Sequence, residues 1–379
     1  MAHTFGISPA ADNAWLEFIG YPDLHRLEKA QLLRSGARPE DWLTDNSPFS
    51  VVPKALVAAV RNSSGRRPVS ALENTDATLV HLGDLVAPQG EGYPALLGGL
   101  QDAPLALFVV GNTHALALPA VAVVGTRHPS RDGARLAEQL GYELAGAGFA
   151  VVSGLALGID AAAHRGALRA GGVTIAVMAT GVDRVYPAVH RQLAADICRS
   201  GALVSEFSPG VAPRRYHFPR RNRTISGLSL ATVVVEAGRP SGSLITASAA
   251  AQQGREVFAV PWSLYHPGGE GCVHLLADGA QLLDTPARLI DSLRMSVQGW
   301  LDIEGGRPVS QSLDGAVRPA PGLPADAQHL LNWLGDAEMD LGDFMQGGSV
   351  SAPRLRTLLT DLELQGFIEQ TAAGYRRLR

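Results

Sequence analysis

Six short apolar runs, separated by helical sequence, lie between residues 76 and 295 and constrain the fold more than any other feature. The runs are Ala120–Val124, Phe149–Val152, Thr174–Met178, Ala202–Val204, Ala231–Val235 and Val257–Val260. Short runs rich in valine are typical of buried parallel strands. Alanine- and leucine-rich segments such as Gly133–Leu144 and Ile159–Ala170 lie between most of them. Strands that alternate with helices predict an α/β fold, in which helices cover both faces of a parallel sheet.

Small-residue turns follow three of the predicted strands. Gly125-Thr126-Arg127 comes after the first, Ser153-Gly154 after the second and Ser241-Gly242-Ser243 after the fifth. Ligands of such sheets bind beyond the carboxyl ends of the strands, and backbone amides before a helix suit an anion. The sequence therefore predicts phosphate-binding turns at Gly125, Thr126, Ser153, Gly154, Ser241, Gly242 and Ser243. Spacing alone leaves open a plain turn with Arg127 in solvent.

An arginine-rich segment with aromatic residues precedes the fifth run. Five arginines and no acidic residue lie between Phe207 and Ala231, in a chain whose net charge is -4. Guanidinium groups suit phosphates and aromatic rings suit unstacked bases, so the segment predicts a local patch for single-stranded nucleic acid. The structural alternative places Phe218 in the core and pairs arginines with Glu206 or Glu236. We expect that alternative for one or two of Arg220, Arg221 and Arg223.

Composition excludes several classes of protein. Hydrophobic residues make up 46% of the chain, enough for a sizeable core, but the apolar runs are too short for a membrane span and no signal-peptide pattern opens the chain. The two cysteines, Cys198 and Cys272, are far apart, which predicts a reducing compartment without disulfides. The eleven histidines show no metal-ligand spacing. We therefore expect a cytoplasmic protein without a metal, a cofactor or a membrane partner.

Several motifs together resemble the signature of the DNA-processing protein A (DprA/Smf) family. The matching stretches are G-T-R at Gly125–Arg127, S-G-L-A-L-G-I-D through H-R-G-A-L at Ser153–Leu168, F-P-R-R-N-R-T-I-S-G-L-S at Phe218–Ser229, V-V-E-A at Val234–Ala237 and S-G-S-L-I-T-A at Ser241–Ala247. The resemblance covers roughly Tyr93 to Ala280. It departs from the family pattern at loop positions such as Trp262, where glycine is usual.

The resemblance implies a function and a set of binding residues. The family binds single-stranded DNA and loads the RecA recombinase, so we expect a protein that protects incoming strands in natural transformation and passes them to RecA. The family pattern implies that Arg127 contacts a DNA phosphate and that Arg215 and Phe218 lie at the DNA. We expect the DNA-binding track to extend along Arg221, Asn222 and Arg223. The family also implies a homodimer through the sheet domain, for which apolar residues between Leu275 and Leu293 offer a surface.

Four other functions are less consistent with the sequence. A dinucleotide site requires three spaced glycines after the first strand and an acid near the end of the second, where Ser153 stands instead. A Ser153, His164 and Asp160 triad lacks the surrounding nucleophile-elbow pattern. A nucleotide or nucleoside-phosphate hydrolase of a related fold is the alternative function, although its catalytic Glu has no counterpart after Thr246. A scaffold that contacts only proteins is the last possibility, and we expect no enzyme.

The remaining segments predict a three-domain organisation. Residues 1–75 are predicted to form short helices, which the resemblance suggests are a sterile-alpha-motif-like domain. Residues 76–295 form the extended Rossmann-like domain. Residues 296–324 are rich in Gly, Pro and Ser and predict a linker. Residues 325–379 contain two helical stretches and a hairpin, formed by Gly366–Gln370 and Gly374–Leu378, and predict a winged-helix-like domain.

Overall fold

The structure, a computed structural model, describes residues 9–21, 23–24, 26–34, 37–43, 52–63, 76–82, 92–303, 359, 368–370 and 375–377. The chain divides into two compact units, Met1–Val309 and Ser310–Arg379. A nine-stranded sheet lies in the first unit and a two-stranded antiparallel hairpin in the second.

The large sheet is mostly parallel. Its strands are β1 (Thr78–His81), β2 (Ala106–Gly111), β3 (Ala120–Val124), β4 (Ala150–Ser153), β5 (Thr174–Met178), β6 (Ala202–Ser205), β7 (Ala231–Val234), β8 (Glu256–Ala259) and β9 (Gln281–Leu282), and their spatial order is β1-β2-β6-β5-β4-β3-β7-β8-β9. β2 is antiparallel to both β1 and β6, and the neighbours from β6 to β9 are parallel. The chain therefore reverses its direction of travel across the sheet between β3 and β7.

Helices connect the parallel strands. The α-helices are α1 (Pro9–Gly20), α2 (Arg26–Arg34), α3 (Lys54–Ser63), α4 (Ala95–Gly98), α5 (Arg131–Gly146), α6 (Ile159–Arg169), α7 (Arg191–Ser200), α8 (His217–Gly227), α9 (Gly242–Gln252), α10 (Glu270–Ala277) and α11 (Pro286–Ile303). Short 3₁₀ turns occur at Pro39–Leu43, Thr113–Ala117, Ala188–His190 and Pro267–Gly269. Because each crossover returns to a parallel strand, every helix from α5 to α9 begins at the carboxyl edge of the sheet.

Both faces of the sheet are buried. Successive residues of β3 alternate between two hydrophobic clusters, with Ala122 and Val124 in one and Val121 and Val123 in the other. Leu140 of α5 and Ala163 of α6 belong to the second cluster, and Ile225 of α8 belongs to the first. Burial on both faces explains why the strand sequences are continuously apolar and do not alternate with polar residues.

The predicted α/β fold is confirmed, since each of the six apolar runs forms a strand of the sheet. The predicted helices after the first two runs are α5 and α6. Antiparallel β1 and β2 extend the sheet beyond the predicted set, because Ala106–Gly111 hydrogen-bonds to β6 in a pairing that apolar content does not reveal.

The other predicted segments are described only in part. The Trp15 ring of α1 stacks on His81 of β1 with 3.7 Å between ring centroids, so the amino-terminal helices and the sheet share one compact unit. Helix α11 continues to Ile303, so residues 296–303 are helical where the linker was predicted to begin. Residues 368–370 and 375–377 form the predicted hairpin. The domain boundaries remain predictions, and the first predicted helix of the carboxyl-terminal domain lies outside the described residues.

Among the residues that the structure describes, no helix is long and apolar enough to cross a bilayer.

Candidate nucleic-acid interface

The crevice between β3 and β7, where the strand order reverses, contains a carboxylate of the chain itself. Ligands of open α/β sheets bind at such a point. Here Glu236, which follows β7 and is 2% exposed, accepts a hydrogen bond from the Ser130 hydroxyl at 2.7 Å and from the Ser130 backbone N–H at 3.0 Å. The Ser130 hydroxyl in turn accepts from Gly133 N at 3.0 Å and caps α5. The amino terminus of α5 is therefore neutralised internally.

Glycines make this close approach possible. A methyl group at Gly133 would lie 1.9 Å from Oε2 of Glu236, and one at Gly268 would lie 2.4 Å from Oε1. The Thr126 backbone N–H donates to the Glu236 carbonyl at 2.7 Å, and a Cβ at Gly125 would lie 2.8 Å from the same carbonyl. The turn at Gly125 and Thr126 thus packs against the residue after β7 and uses the Thr126 amide internally, and phosphate binding at this turn remains a prediction.

The turn after β4 is filled by a second internal carboxylate. Asp160, near the start of α6, accepts hydrogen bonds from the backbone N–H groups of Gly154 at 3.1 Å and Ala156 at 3.3 Å. The Ser153 hydroxyl is fully buried and donates to the Val123 carbonyl at 2.7 Å. Asp160 thus accepts from the Gly154 amide that an anion would use, and phosphate binding at Ser153 and Gly154 remains a prediction.

Arg221 completes this buried arrangement. It is 5% exposed, and its Nη1 donates to the carbonyls of Gly154 and Val177, the latter at 3.1 Å. Burial lowers the pKa of Arg221, and the Asp160 carboxylate opposes that shift. Burial likewise raises the pKa of Asp160, opposed by Arg221 and by the amides of Ala156 and Gly154. Arg221 is therefore a buried cation under the sheet edge, and its contact with DNA remains a prediction.

The neighbouring positions of α8 are also engaged within the protein. Asn222 is 9% exposed and donates to the Gly242 carbonyl at 3.2 Å. Arg223 pairs with Asp102 at 2.6 Å, and Arg220 pairs with Glu206 at 2.6 Å. Structural pairing was expected for one or two of Arg220, Arg221 and Arg223, and each of them has a partner within the protein. Contact of Arg221, Asn222 and Arg223 with DNA remains a prediction.

The turn before α9 is capped by its own serine. Ser241 adopts an extended conformation, and its hydroxyl accepts from Ser243 N at 3.3 Å and lies 2.7 Å from the Ser243 hydroxyl. Gly242 is exposed, and a Cβ there would meet open space. This turn is thus the most accessible of the three predicted phosphate turns, and anion binding there remains a prediction.

An exposed cluster of one arginine and two aromatic rings lies at the same edge. The Arg127 guanidinium carbon is 5.6 Å from the centroid of the Phe218 ring. Tyr186, which follows β5, meets Phe218 edge to face with 6.2 Å between centroids and is 48% exposed. We call Arg127, Tyr186 and Phe218 the strand-end cluster. Arg127 is exposed and Phe218 is half-buried, so guanidinium and ring are both accessible from solvent.

Further cations border this cluster. Arg215 lies three residues before Phe218, just ahead of α8, and is exposed. Arg214 is exposed too and donates to the Tyr216 hydroxyl at 2.7 Å. The His217 ring nitrogen Nδ1 lies 3.1 Å from the Ala179 carbonyl, which fixes the start of α8 against the end of β5. The structure therefore presents Arg127, Arg215 and Phe218 on one edge of the sheet.

Sequence reasoning did not select Tyr186 as a site residue. It follows β5 without a charged motif, and its proximity to Phe218 depends on how the β5 and β6 loops meet. Its place after the end of a predicted strand could have indicated a site residue, since ligands of such sheets bind beyond the carboxyl ends of the strands.

The residues weighed for catalysis or metal binding have other partners. Ser153 donates to Val123, and His164 Nδ1 lies 2.7 Å from the Thr174 hydroxyl. Burial, followed by the charges of His190, Arg221 and Arg165, lowers the pKa of His164 to about 3. A Ser153, His164 and Asp160 triad is therefore not assembled. Within the described ranges, no group of three His, Cys, Asp or Glu side chains is placed to hold a metal ion.

Fold and site together define a class of protein. It is a doubly wound α/β protein in which its own carboxylates fill two of the three predicted strand-end anion sites and whose exposed edge carries arginines and aromatic rings. The chain belongs to the DNA recombination-mediator protein A family, whose model matches residues 84–294. The model of the DprA winged helix domain matches residues 314–374.

Individual relatives agree with this assignment. The chain is 40% identical to Protein Smf of Escherichia coli, over 78% of this chain and 77% of that protein. It is 46% identical to the DNA processing protein DprA of Streptococcus pneumoniae, over 50% and 67% of the two chains. The X-ray structure of the latter aligns with a TM-score of 0.55 at 32% identity, over 74% of this chain and 92% of that one.

A second solved structure, of DNA processing protein A from Helicobacter pylori, aligns with a TM-score of 0.52 at 29% identity and covers 59% of this chain and 98% of that one. That structure concerns the single-stranded DNA binding mode of the Helicobacter protein.

Proposed function

We propose that this chain binds single-stranded DNA at the strand-end cluster, with Arg127 and Arg215 on phosphates and Phe218 stacked against a base. The observation that carries the proposal is the juxtaposition of the Arg127 guanidinium and the Phe218 ring, 5.6 Å apart, at an accessible edge. Single-strand sites combine cations along the backbone with rings for the bases. Family membership and the single-stranded DNA binding of the Helicobacter relative support the same function.

The contacts around the cluster also favour binding without catalysis. Glu236 binds at the amino terminus of α5 through Ser130, and Asp160 accepts from the turn ahead of α6, so a hydrolase would need to displace a buried carboxylate from its hydrogen bonds. The alternative, a nucleotide or nucleoside-phosphate hydrolase, predicts turnover of nucleoside monophosphates and weak binding of oligonucleotides.

Fluorescence anisotropy with a single-stranded and a duplex oligonucleotide, each at two salt concentrations, tests the proposal. We expect Arg127→Ala to weaken single-strand binding roughly tenfold, because a charge-assisted hydrogen bond contributes about 1.5 kcal/mol. The slope of log affinity against log salt should become shallower by about 0.7, the value for one phosphate contact on a single strand.

A matched control is Arg169→Ala. Arg169 is an exposed arginine at the carboxyl end of α6, at the opposite edge of the sheet, and its pairing with Glu138 is solvent-exposed. Its loss should leave binding unchanged. Unaltered single-strand affinity in Arg127→Ala at physiological salt, or equal affinity for duplex and single strand, would contradict the proposal.

We further infer from family membership that the chain protects incoming strands, loads RecA on them in natural transformation and in DNA repair, and acts in the cytoplasm. A homodimer through the sheet domain, with residues 1–75 and 325–379 as flanking helical and winged-helix docking domains, completes this proposal. Sedimentation as a monomer at micromolar concentration would count against the dimer. RecA filaments that form on coated DNA no faster with the chain than without it would count against loading.

A further inference from the structure

The loop that joins β8 to α10 exposes two large apolar side chains, Leu264 and Tyr265, at its tip. Leu264 is 83% exposed and Tyr265 is 95% exposed, the highest values for large hydrophobic residues in the described part of the chain. Single exposed apolar residues are ordinary on protein surfaces, whereas adjacent ones point to a binding function. The strand-end cluster does not include either residue.

The base of this loop is firmly held. The Trp262 indole N–H donates to the Val235 carbonyl at 2.7 Å, and its ring stacks on His266 with 4.4 Å between centroids. The His266 backbone N–H donates to Ser263, and Gly269 N–H donates to His266, both at 2.9 Å. The tip is therefore presented on an anchored base, so an aromatic side chain there loses little conformational freedom when it binds.

The loop lies on the same edge as the strand-end cluster. β8 runs parallel to β7, which runs parallel to β3, so the carboxyl ends of β8 and β3 are about 10 Å apart. Glu236 bridges this distance, since its carbonyl accepts from Thr126 N and its Oε1 lies 3.2 Å from His266 Nε2. Both loops therefore pack on the buried Glu236, and their exposed residues, Arg127 and Tyr265, border one surface at this edge of the sheet.

The charge along this surface fits a polyanion. Arg127 and His128 are exposed after β3, and Arg239 is exposed in the turn after β7. Glu270, at the start of α10, is the exposed acid nearest to the loop in sequence. Sites for single-stranded nucleic acid combine cations along the sugar-phosphate backbone with aromatic rings that stack on the bases.

We propose that Tyr265 is a second base-stacking position for single-stranded DNA, which crosses the edge of the sheet from Phe218 over Glu236 to the loop after β8. This inference rests on the proposed function and adds the direction of the strand across the protein. Tyr186, which contacts Phe218, follows β5, and Tyr265 follows β8, four strand spacings or about 19 Å away. The DNA between the two rings therefore covers about six nucleotides at a stacked spacing of about 3.4 Å.

The test is anisotropy with labelled oligothymidines of about 4 and about 20 nucleotides, lengths that fill one stacking position or both. Tyr265→Ala should weaken binding of the long oligonucleotide about tenfold, the effect expected for one stacked base, and leave the short one within about twofold. Tyr265→Phe keeps the ring and should bind like the parent. The salt dependence of Tyr265→Ala should match the parent, because no cation is removed.

Tyr142→Ala is the matched control, since Tyr142 is a 44% exposed tyrosine on α5 and should not affect binding. Equal affinity of Tyr265→Ala and the parent for the long oligonucleotide would overturn the inference and favour a protein partner at the loop. An equal loss in Tyr265→Phe would overturn it as well, since stacking requires only the ring. A parent protein that binds neither oligonucleotide would refute the proposed function itself, which separates the two failures.

Discussion

At the scale of single residues, Arg221 shows how a motif arginine can be structural. Arg220, Arg221 and Arg223 have the same chemistry, but only Arg221 lies under the sheet edge. A Cβ added at Gly154 would come within 1.8 Å of the Arg221 Nη1. Its Nε is buried without a hydrogen-bond partner among the described residues. Such a group is tolerated because the Asp160 charge and two carbonyls face the rest of the guanidinium.

Arg221→Met should therefore destabilise the fold by about 3–5 kcal/mol, because it leaves the buried Asp160 carboxylate without its cation. Arg223→Met is the control, since its pair with Asp102 is partly exposed and should contribute less than about 1 kcal/mol. Urea unfolding followed by circular dichroism gives both values. A stable Arg221→Met protein that has lost single-strand binding would instead assign Arg221 to the DNA.

At the scale of elements, helix amino termini at this edge are neutralised by internal carboxylates. Glu236 reaches α5 through Ser130, and Asp160 reaches the turn ahead of α6. Each carboxylate accepts from backbone N–H groups that could otherwise bind an anion. At these two turns, exposed side chains rather than backbone amides are therefore the groups available to an anion. Among the described residues, the turn before α9 holds no such carboxylate, and anion binding there remains a prediction.

Gly133→Ala tests the contact at α5. A methyl group there would lie 1.9 Å from Glu236 Oε2, so the carboxylate must leave its position and the cap of the helix weakens. We expect a loss of about 1–3 kcal/mol in unfolding free energy, although alanine favours helices. Gly146→Ala, in the same helix, meets open space and should be neutral or stabilising by up to about 1 kcal/mol. Equal stability of the two variants in thermal unfolding would show that Glu236 does not stabilise the amino terminus of α5.

The sequence predicts the strands and motif positions at this edge better than it predicts which residues they pack against. The six parallel strands follow from their apolar runs, and Arg127 and Phe218 follow from motifs placed at strand and helix ends. The antiparallel β2 and the burial of Arg221 depend on long-range packing. Helical spacing could have predicted the burial of Arg221. A helix that begins at His217 places Arg221, Ile225 and Leu228 on one buried face.

At the scale of the whole molecule, one buried histidine, His164, links stability to pH. The Thr174 hydroxyl donates to the Val151 carbonyl at 2.7 Å, so His164 Nδ1 must carry the proton that it shares with Thr174. Its Nε2 is buried without a hydrogen-bond partner among the described residues. Protonation would place a charged, unsatisfied N–H in the core, which agrees with burial as the main cause of a pKa near 3.

This linkage predicts acid sensitivity with a defined sign. The unfolded chain binds a proton at His164 near pH 6.5 and the folded chain only near pH 3, so the unfolding free energy falls as pH decreases from 6.5 towards 3. One such group contributes up to about 1.4 kcal/mol per pH unit in that range. His164→Gln should therefore reduce the slope of stability against pH by about this amount in urea titrations between pH 6.5 and 4, whatever it costs at neutral pH. His128→Gln, at an exposed histidine, should keep the parental slope. If His164→Gln kept the parent's slope of unfolding free energy against pH, the acid sensitivity would have to come from other buried groups. The proposed role of His164 would then be wrong.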